Sequence, residues 1–189
     1  MKEIEILVRV NDNIEKVKDI LKQYKRVGLK HTIDEYYYDP KRKNLKPDKD
    51  NQLSHCLRLR SKNKDYYITY KDDVFKDGKW LYSNEYETKV ESIKVLRQVF
   101  KKLGLKKFIT IDNKKEIYLT DKYEIALEDV KDLGLFLEVE YSTNEDVSVE
   151  KVKEEIQKFI DNLGINVSEE LTMGKPELYM RTHNINIGE

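Results

Sequence analysis

The sequence predicts an α+β protein: a closed eight-stranded antiparallel β-barrel with a charged interior and helices packed on the outside. Three observations point to it. Eight stretches carry strand patterning, several of them with one oily and one ionic face. Most ionic faces hold a single sign of charge, whereas wetted faces would mix signs. Three amphipathic helical stretches supply the apolar surface that would cover the outside of such a barrel.

Residues Lys2 to Val10 set the pattern. Ile4, Ile6, Val8 and Val10 share one face, and Glu3, Glu5, Leu7 and Arg9 the other, which is the period of a half-buried strand. Carboxylates two apart on a strand face lie about 7 Å from each other and repel by roughly 0.6 kcal/mol in water, but about 2.4 kcal/mol at an effective dielectric near 20. In an enclosed site, Glu3 and Glu5 ask for a cation. Helical spacing follows at Ile14, Val17, Ile20, Leu21 and Tyr24, capped at 11–13 and stopped by Gly28. A second stripe, Ile93 to Leu103, closes on Gly104-Leu105, and a third, Val149 to Leu163, on Gly164-Ile165. In all three, glycine followed by an apolar residue predicts a left-handed C-terminal cap.

Further strands are expected at 30–38, 54–61, 65–72, 81–89, 107–119, 123–128 and 135–141, with turns at Asn63-Lys64 and Asp77-Gly78. The lysine-rich stretch 39–52, broken by Pro40 and Pro47, reads as a mobile surface excursion. Paired acids precede a helix at both Glu3/Glu5 and Glu85/Glu87, which hints at two related halves.

The ionic faces sort by sign. Strand 54–61 sets Leu57 and Leu59 against Cys56, Arg58 and Arg60, and strand 65–72 carries Tyr67, Thr69 and Lys71 together. Strand 135–141 sets Leu135, Leu137 and Val139 against Phe136, Glu138 and Glu140. Turned inward, Glu3, Glu5, Glu138 and Glu140 form an acidic wall, and Arg9, Arg58, Arg60 and Lys71 a basic one. Clustered carboxylates suit Mg²⁺ or Mn²⁺, and Arg and Lys suit phosphate oxygens. Together they describe a polyphosphate carried with its metal ions.

Composition bounds the alternatives. The 189 residues suit a single domain over 1–189, long enough to bury a core. Thirty-six Lys+Arg against 36 Asp+Glu leave no net charge, so no global field argues for nucleic acid or an anionic membrane. The lone Cys56 excludes an intrachain disulfide, and no apolar run approaches membrane-spanning length, so a cytoplasmic protein is expected. His31, His55 and His183 lack zinc-ligand spacing, and His55 and Cys56, adjacent on a strand, point to opposite faces. Trp80 and Tyr36 to Tyr38 read as core or barrel rim.

These residues resemble the CYTH superfamily, the triphosphate tunnel metalloenzymes, which includes class IV adenylate cyclases and thiamine triphosphatases. Glu3 and Glu5 match its ExExK signature, with Leu7 in place of the lysine. Asp34-Glu35-Tyr36-Tyr37 is similar to its DxYF segment, Leu57-Arg58-Leu59-Arg60 to its LRxR strand, and Ile68-Thr69-Tyr70-Lys71 to the lysine strand that follows. Glu85 and Glu87 resemble its ExE strand, and Leu133-Gly134 with Phe136, Glu138 and Glu140 its LGxFxExE strand. The resemblance implies an eight-stranded tunnel. It also implies that Lys115 corresponds to a family arginine, that the acid before the LG segment is Glu128 or, one residue on, Asp129, and that Lys175 falls near a basic C-terminal segment. Arg9 is the candidate to supply the charge absent at Leu7.

The expectation is a metal-dependent enzyme acting on a small triphosphate-containing molecule. Arg9, Arg58, Arg60, Lys71, Lys115 and Lys175 would bind substrate, and Glu3, Glu5, Glu128, Glu138 and Glu140 would hold Mg²⁺ or Mn²⁺. Lys71, Glu85 and Glu87 would assist the chemistry, with pairing to Arg58 and Lys71 as the structural role open to both acids. The leading activity is hydrolysis of inorganic, thiamine or nucleoside triphosphate. The alternative is cyclisation of ATP to cyclic AMP and pyrophosphate, and a third reading is a polyphosphate-binding domain without turnover. No nucleic acid or membrane partner is expected, and the chain is read as a monomer or homodimer.

Overall fold

The computed structural model of the chain describes residues 2–76 and 79–187, with Lys79 through its backbone. Among them lie β1 (Lys2–Arg9), α1 (Ile14–Leu21), β2 (Lys25–Tyr38), a 3₁₀ turn (Lys43–Leu45), β3 (His55–Lys62), β4 (Asp65–Lys76) and β5 (Lys79–Val90). These are followed by α2 (Ile93–Leu103), β6 (Lys106–Leu119), β7 (Glu124–Val130), β8 (Gly134–Thr143), α3 (Val149–Asn162) and α4 (Lys175–Thr182). The expected turn at Asp77-Gly78 lies outside the described residues.

The strands close into an antiparallel barrel of order β1-β5-β4-β3-β2-β6-β7-β8. Exchanging β1–β4 with β5–β8 maps this order onto itself, and each half runs strand, helix, then three strands. The sequence hint of two related halves has its topological counterpart here.

The main apolar cluster lies outside the barrel. Ile4, Ile6 and Val8 of β1, with Leu137 and Val139 of β8, pack against Val17 and Leu21 of α1 and Val152, Ile156 and Ile160 of α3. Period-2 alternation leaves the other face of the same strands pointing inward, where the charge must go. On the opposite flank α2 lays Ile93 and Phe100 on Tyr37 and Leu59. A third cluster closes one end of the barrel with Leu7, Tyr36, Ile109, Ile111, Phe136 and Met180.

Three sequence expectations change. The first helix stops at Leu21, and Gly28 is no cap: its φ of +153° serves a bulge inside β2, between Arg26 and Gly28. Gly104 (φ +86°) and Gly164 (φ +70°) do take the left-handed conformation just past their helices. The 39–52 stretch is pinned rather than a free excursion: Leu45 is buried, and the Asn51 amide donates to the Ile185 carbonyl at 2.8 Å. The eight-residue α4 was not foreseen.

One seam of the barrel positions the site. β1 pairs with β8 along its whole length but with β5 only at Lys2–Asn84 and Glu3–Ser83. The chain after α3 fills the gap, with the Ser168 and Leu171 amides donating to the Arg9 and Leu7 carbonyls at 2.9 and 2.8 Å. That edge pairing carries residues 172–177 to the barrel interior and sets α4 across its end.

Candidate functional site

The inward faces enclose a cavity of about 160 Å³. Its lining carries eight carboxylates, Glu3, Glu5, Asp34, Asp73, Glu85, Glu138, Glu140 and Glu177, against five cations, Arg58, Arg60, Lys71, Lys115 and Lys175. A polyphosphate entering alone would add negative charge to an interior already short of positive charge.

The deficit is localised. Glu3, Glu5 and Glu140 bring one carboxylate oxygen each to within 4.8 Å of one another. Their strands explain it: Glu5 faces Glu140 directly across the β1–β8 ladder, and Glu3 is one inward step along β1. Burial raises the Glu5 carboxyl to about 8, helped by the charge of Glu138. Burial likewise raises Glu3 to about 7, with Lys71 opposing and Glu140 adding to the rise. Glu140 reaches about 7 through burial and Glu5. These three acids, which resist ionising beside one another, are the group among the described residues with the donors and spacing to hold a metal ion.

Most of the other interior acids are paired with bases, Asp73 and Glu177 having no ion pair among the described residues. Arg60 donates twice to Asp34, at 2.7 Å each, and Arg58 lies 3.9 Å from the same carboxylate. Burial would raise Asp34, but Arg60 overrides it and brings the carboxyl down to about 2. Arg58 also reaches Glu85 at 3.8 Å and Glu87 at 3.4 Å, and Thr69 donates to Glu87 at 2.7 Å. Lys71 bridges Glu3 and Glu85 at 2.6 Å each. Lys115 pairs with Glu128 at 2.6 Å, and Lys175 pairs with Glu128 at 3.0 Å and with Glu138. Glu138 opposes a large burial cost through Lys115 and Lys175 and is held far below the usual carboxylate range.

The expected metal-binding acids therefore divide. Glu3, Glu5 and Glu140 converge, whereas Glu138 and the fully buried Glu128 are clamped by lysines, Glu128 also by the Asn113 amide at 2.5 Å. Asp129, the register alternative, is exposed. Of the expected catalytic residues, Lys71 and Glu85 line the cavity, and Glu87 sits behind Arg58 and Thr69 outside its lining.

Arg9 is not brought to the cavity. At the end of β1 its guanidinium donates to the Leu133 carbonyl at 2.8 Å and lies 4.8 Å over the Phe136 ring. Leu7 is 1% exposed in the apolar end cluster and faces Glu138 across the ladder. The ammonium acting on Glu5 from that side belongs to Lys175, delivered by the first turn of α4. Sequence reasoning missed Asp34 as the partner of both arginines, and Asp73 and Glu177 altogether. Asp34 was legible, since it lies inward on β2 opposite Arg60. Cys56 lines the cavity with its thiol raised by burial to about 12, so it is un-ionised at neutral pH.

Residues 1–172 match the CYTH domain family. The chain belongs to this family. A Methanocaldococcus jannaschii protein named "Putative adenylate cyclase MJ0240" is 31% identical over 186 residues, covering 96% of this chain and 99% of that one. Among solved structures, the PH1012 protein from Pyrococcus horikoshii OT3 superposes with a TM-score of 0.76 at 26% identity over 93% of this chain and 98% of that one. The Hippeastrum protein HpAC1, called a "putative adenylyl cyclase" with a dominant triphosphatase activity, gives 0.64 at 16% identity over 95% of both chains. At that identity HpAC1 supports the CYTH fold alone.

Proposed function

We propose that this CYTH protein is a divalent-metal-dependent enzyme that hydrolyses the triphosphate group of a small molecule. The observation that carries the reading is the Glu3, Glu5 and Glu140 corner, three converging carboxylates of which Lys71 pairs with Glu3 alone, set in one cavity with five buried or half-buried basic side chains.

The corner fits a hard divalent cation, because its donors are carboxylate oxygens converging from two neighbouring strands, and burial together with their mutual repulsion raises all three in spite of the nearby Lys71 charge. When bound, Mg²⁺ or Mn²⁺ neutralises phosphate charge and polarises the phosphoryl group. The chain's own residues do the positioning. Arg58 and Arg60, held rigid by Asp34, present guanidinium donors to phosphate oxygens. Lys71, Lys115 and Lys175 offer point charges around the rest of the chain of phosphates. Lys175 takes the place that the lysine absent at Leu7 would have filled. Phosphoryl transfer needs positioning and charge neutralisation more than covalent chemistry, so a water attacking phosphorus with release of the phosphate chain requires no protein nucleophile.

Cyclisation of ATP remains the second reading, supported by the name of the Methanocaldococcus jannaschii relative. The test offers the protein tripolyphosphate, thiamine triphosphate and ATP with Mg²⁺ or Mn²⁺, and measures phosphate, pyrophosphate and cyclic AMP. Phosphate release is expected. Cyclic AMP with pyrophosphate selects the cyclase, and binding without any product sinks both enzyme readings.

A further inference from the structure

The two halves of the barrel differ on their outer faces. Counted from the N-caps Asn13 and Ser92, Val17 of α1 matches Leu96 of α2, and Leu21 matches Phe100. Lys18 matches Arg97, and they pair with Glu116 of β6 and Glu35 of β2, strands that the exchange of halves interconverts. The same count matches Ile20 with Val99 and Tyr24 with Leu103. Ile20 and Tyr24 join the main apolar cluster, where the Tyr24 ring lies 5.7 Å from Phe159 of α3. Their counterparts Val99 and Leu103 are 42% and 70% exposed. The strands repeat the contrast. Ile4 faces Tyr141 across the ladder inside the α3 cluster and is buried, whereas Tyr86, which faces Tyr70 in the matching position, is 61% exposed.

Val95, Val99 and Leu103 recur at every fourth residue and so form one stripe along α2. Arg97 leaves the opposite flank of the helix to reach β2, which turns the stripe toward β4 and β5, where Tyr86 extends it. Four of the six large apolar side chains exposed among the described residues belong to this flank, so they make a patch rather than a scatter.

The charges around the patch select its occupant. Lys94, Arg97 and Lys101 lie on the flank of α2 away from the stripe, whereas an anionic lipid surface would need them beside it. The exposed Glu91 precedes the helix and the exposed Lys102 ends it. An antiparallel copy of α2 therefore sets Val99 on Val99 and Val95 on Leu103, with Glu91 of each copy near Lys102 of the other. Such self-complementarity is what a two-fold contact requires. We propose that a second copy of the chain covers this flank, α2 against α2, in the place that α3 takes over α1. An 11-residue helix is about 16 Å long, so the contact is modest and the dimer dissociable.

Sedimentation equilibrium of the whole chain at about 10–500 µM is expected to show monomer and dimer in exchange. Val99→Glu and Leu103→Glu should each weaken association about tenfold or more. Both positions are exposed, so melting temperatures should stay at the wild-type value, which separates lost association from lost fold. Leu29→Glu, at a comparably exposed position on β2, should leave association unchanged. Glu91→Lys should weaken the dimer, and adding Lys102→Glu should restore it. A wild-type chain that stays monomeric throughout overturns the inference, as does a dimer indifferent to both glutamates or equally sensitive at Leu29. Failure of the charge swap to restore association overturns the antiparallel pairing. Binding to phosphatidylserine vesicles that Val99→Glu abolishes, by a chain that remains monomeric, assigns the patch to a lipid surface instead.

Discussion

Two corners of one cavity are built from the same kinds of residue and end in opposite electrostatic states. At Asp34 a buried carboxylate faces two guanidinium groups and is brought down to about 2. At Glu5 a buried carboxylate faces Glu138, Glu140 and Glu3, and is pushed up to about 8. Burial is common to both, so burial does not decide the outcome. The neighbours do. The Asp34 corner is complete as it stands and presents rigid donors, whereas the corner at Glu5 is the one that our proposed function assigns to a metal ion. A site that binds a polyanion next to eight lining acids needs both kinds.

The comparison breaks most visibly if one member of each corner is neutralised. Glu5→Gln is expected to lower metal-dependent turnover by about three orders of magnitude, equivalent to roughly 4 kcal/mol of barrier. The same change should raise the melting temperature of the metal-free protein at pH 8, since it removes a repulsion. Retained turnover would sink the assignment of this corner to metal. Asp34→Asn should act in the opposite sense on stability, because it strands the buried Arg60 guanidinium and leaves Arg58 only Glu85 and Glu87, at a cost of about 3–5 kcal/mol. For a chain of this size that lowers the melting temperature by roughly 10 °C, measured by calorimetry with and without metal.

The two corners were unequally legible. Strict alternation in Lys2 to Val10 forces Glu3 and Glu5 to share a face, and the same period in β8 does so for Glu138 and Glu140. What alternation cannot supply is register. Glu140 lies opposite Glu5, and Glu138 lies opposite Leu7 where Lys175 reaches it, so two acids that look equivalent in sequence part company in space. Arg9 misled for a related reason. It shares the face of Glu5, but at the last residue of the strand its side chain finds the Leu133 carbonyl and the Phe136 ring. Helix α4 escaped notice because eight residues behind Gly174-Lys175-Pro176 show too little apolar period, yet it delivers both Lys175 and Glu177.

Lys175 sharpens the contrast by tying the matched side to the unmatched one. It pairs with Glu138 and Glu128, and its charge also acts on Glu5. Lys175→Met is expected to raise KM for the triphosphate substrate about tenfold to a hundredfold, a loss of one or two powers of ten in affinity at about 1.4 kcal/mol each. Adding Leu7→Lys should recover a substantial part, because position 7 faces Glu138 across the ladder and borders the same cavity. Leu7→Lys alone should give little gain. If the double variant is no better than Lys175→Met, the two positions do not share one electrostatic role.

The smallest expected effect is a slope with pH. Glu3 and Glu140 are raised to about 7, and Glu5 to about 8, and Glu177 is raised by burial to about 7. In the unfolded chain these glutamates would titrate near 4.3. Between those values the folded state binds more protons than the unfolded one, so stability falls as pH rises from about 5 to 8. Asp34 and Glu138, shifted the other way, are already ionised in both states over that range and add no opposing slope. In EDTA the melting temperature should therefore drop by several degrees across the interval. Mn²⁺ should flatten or reverse the drop, because metal binding releases the protons held by the corner and gains affinity as pH rises. A metal-free profile that climbs from pH 5 to 8 would mean that Glu3, Glu5 and Glu140 are ionised without help, and the corner would then differ from Asp34 in layout alone.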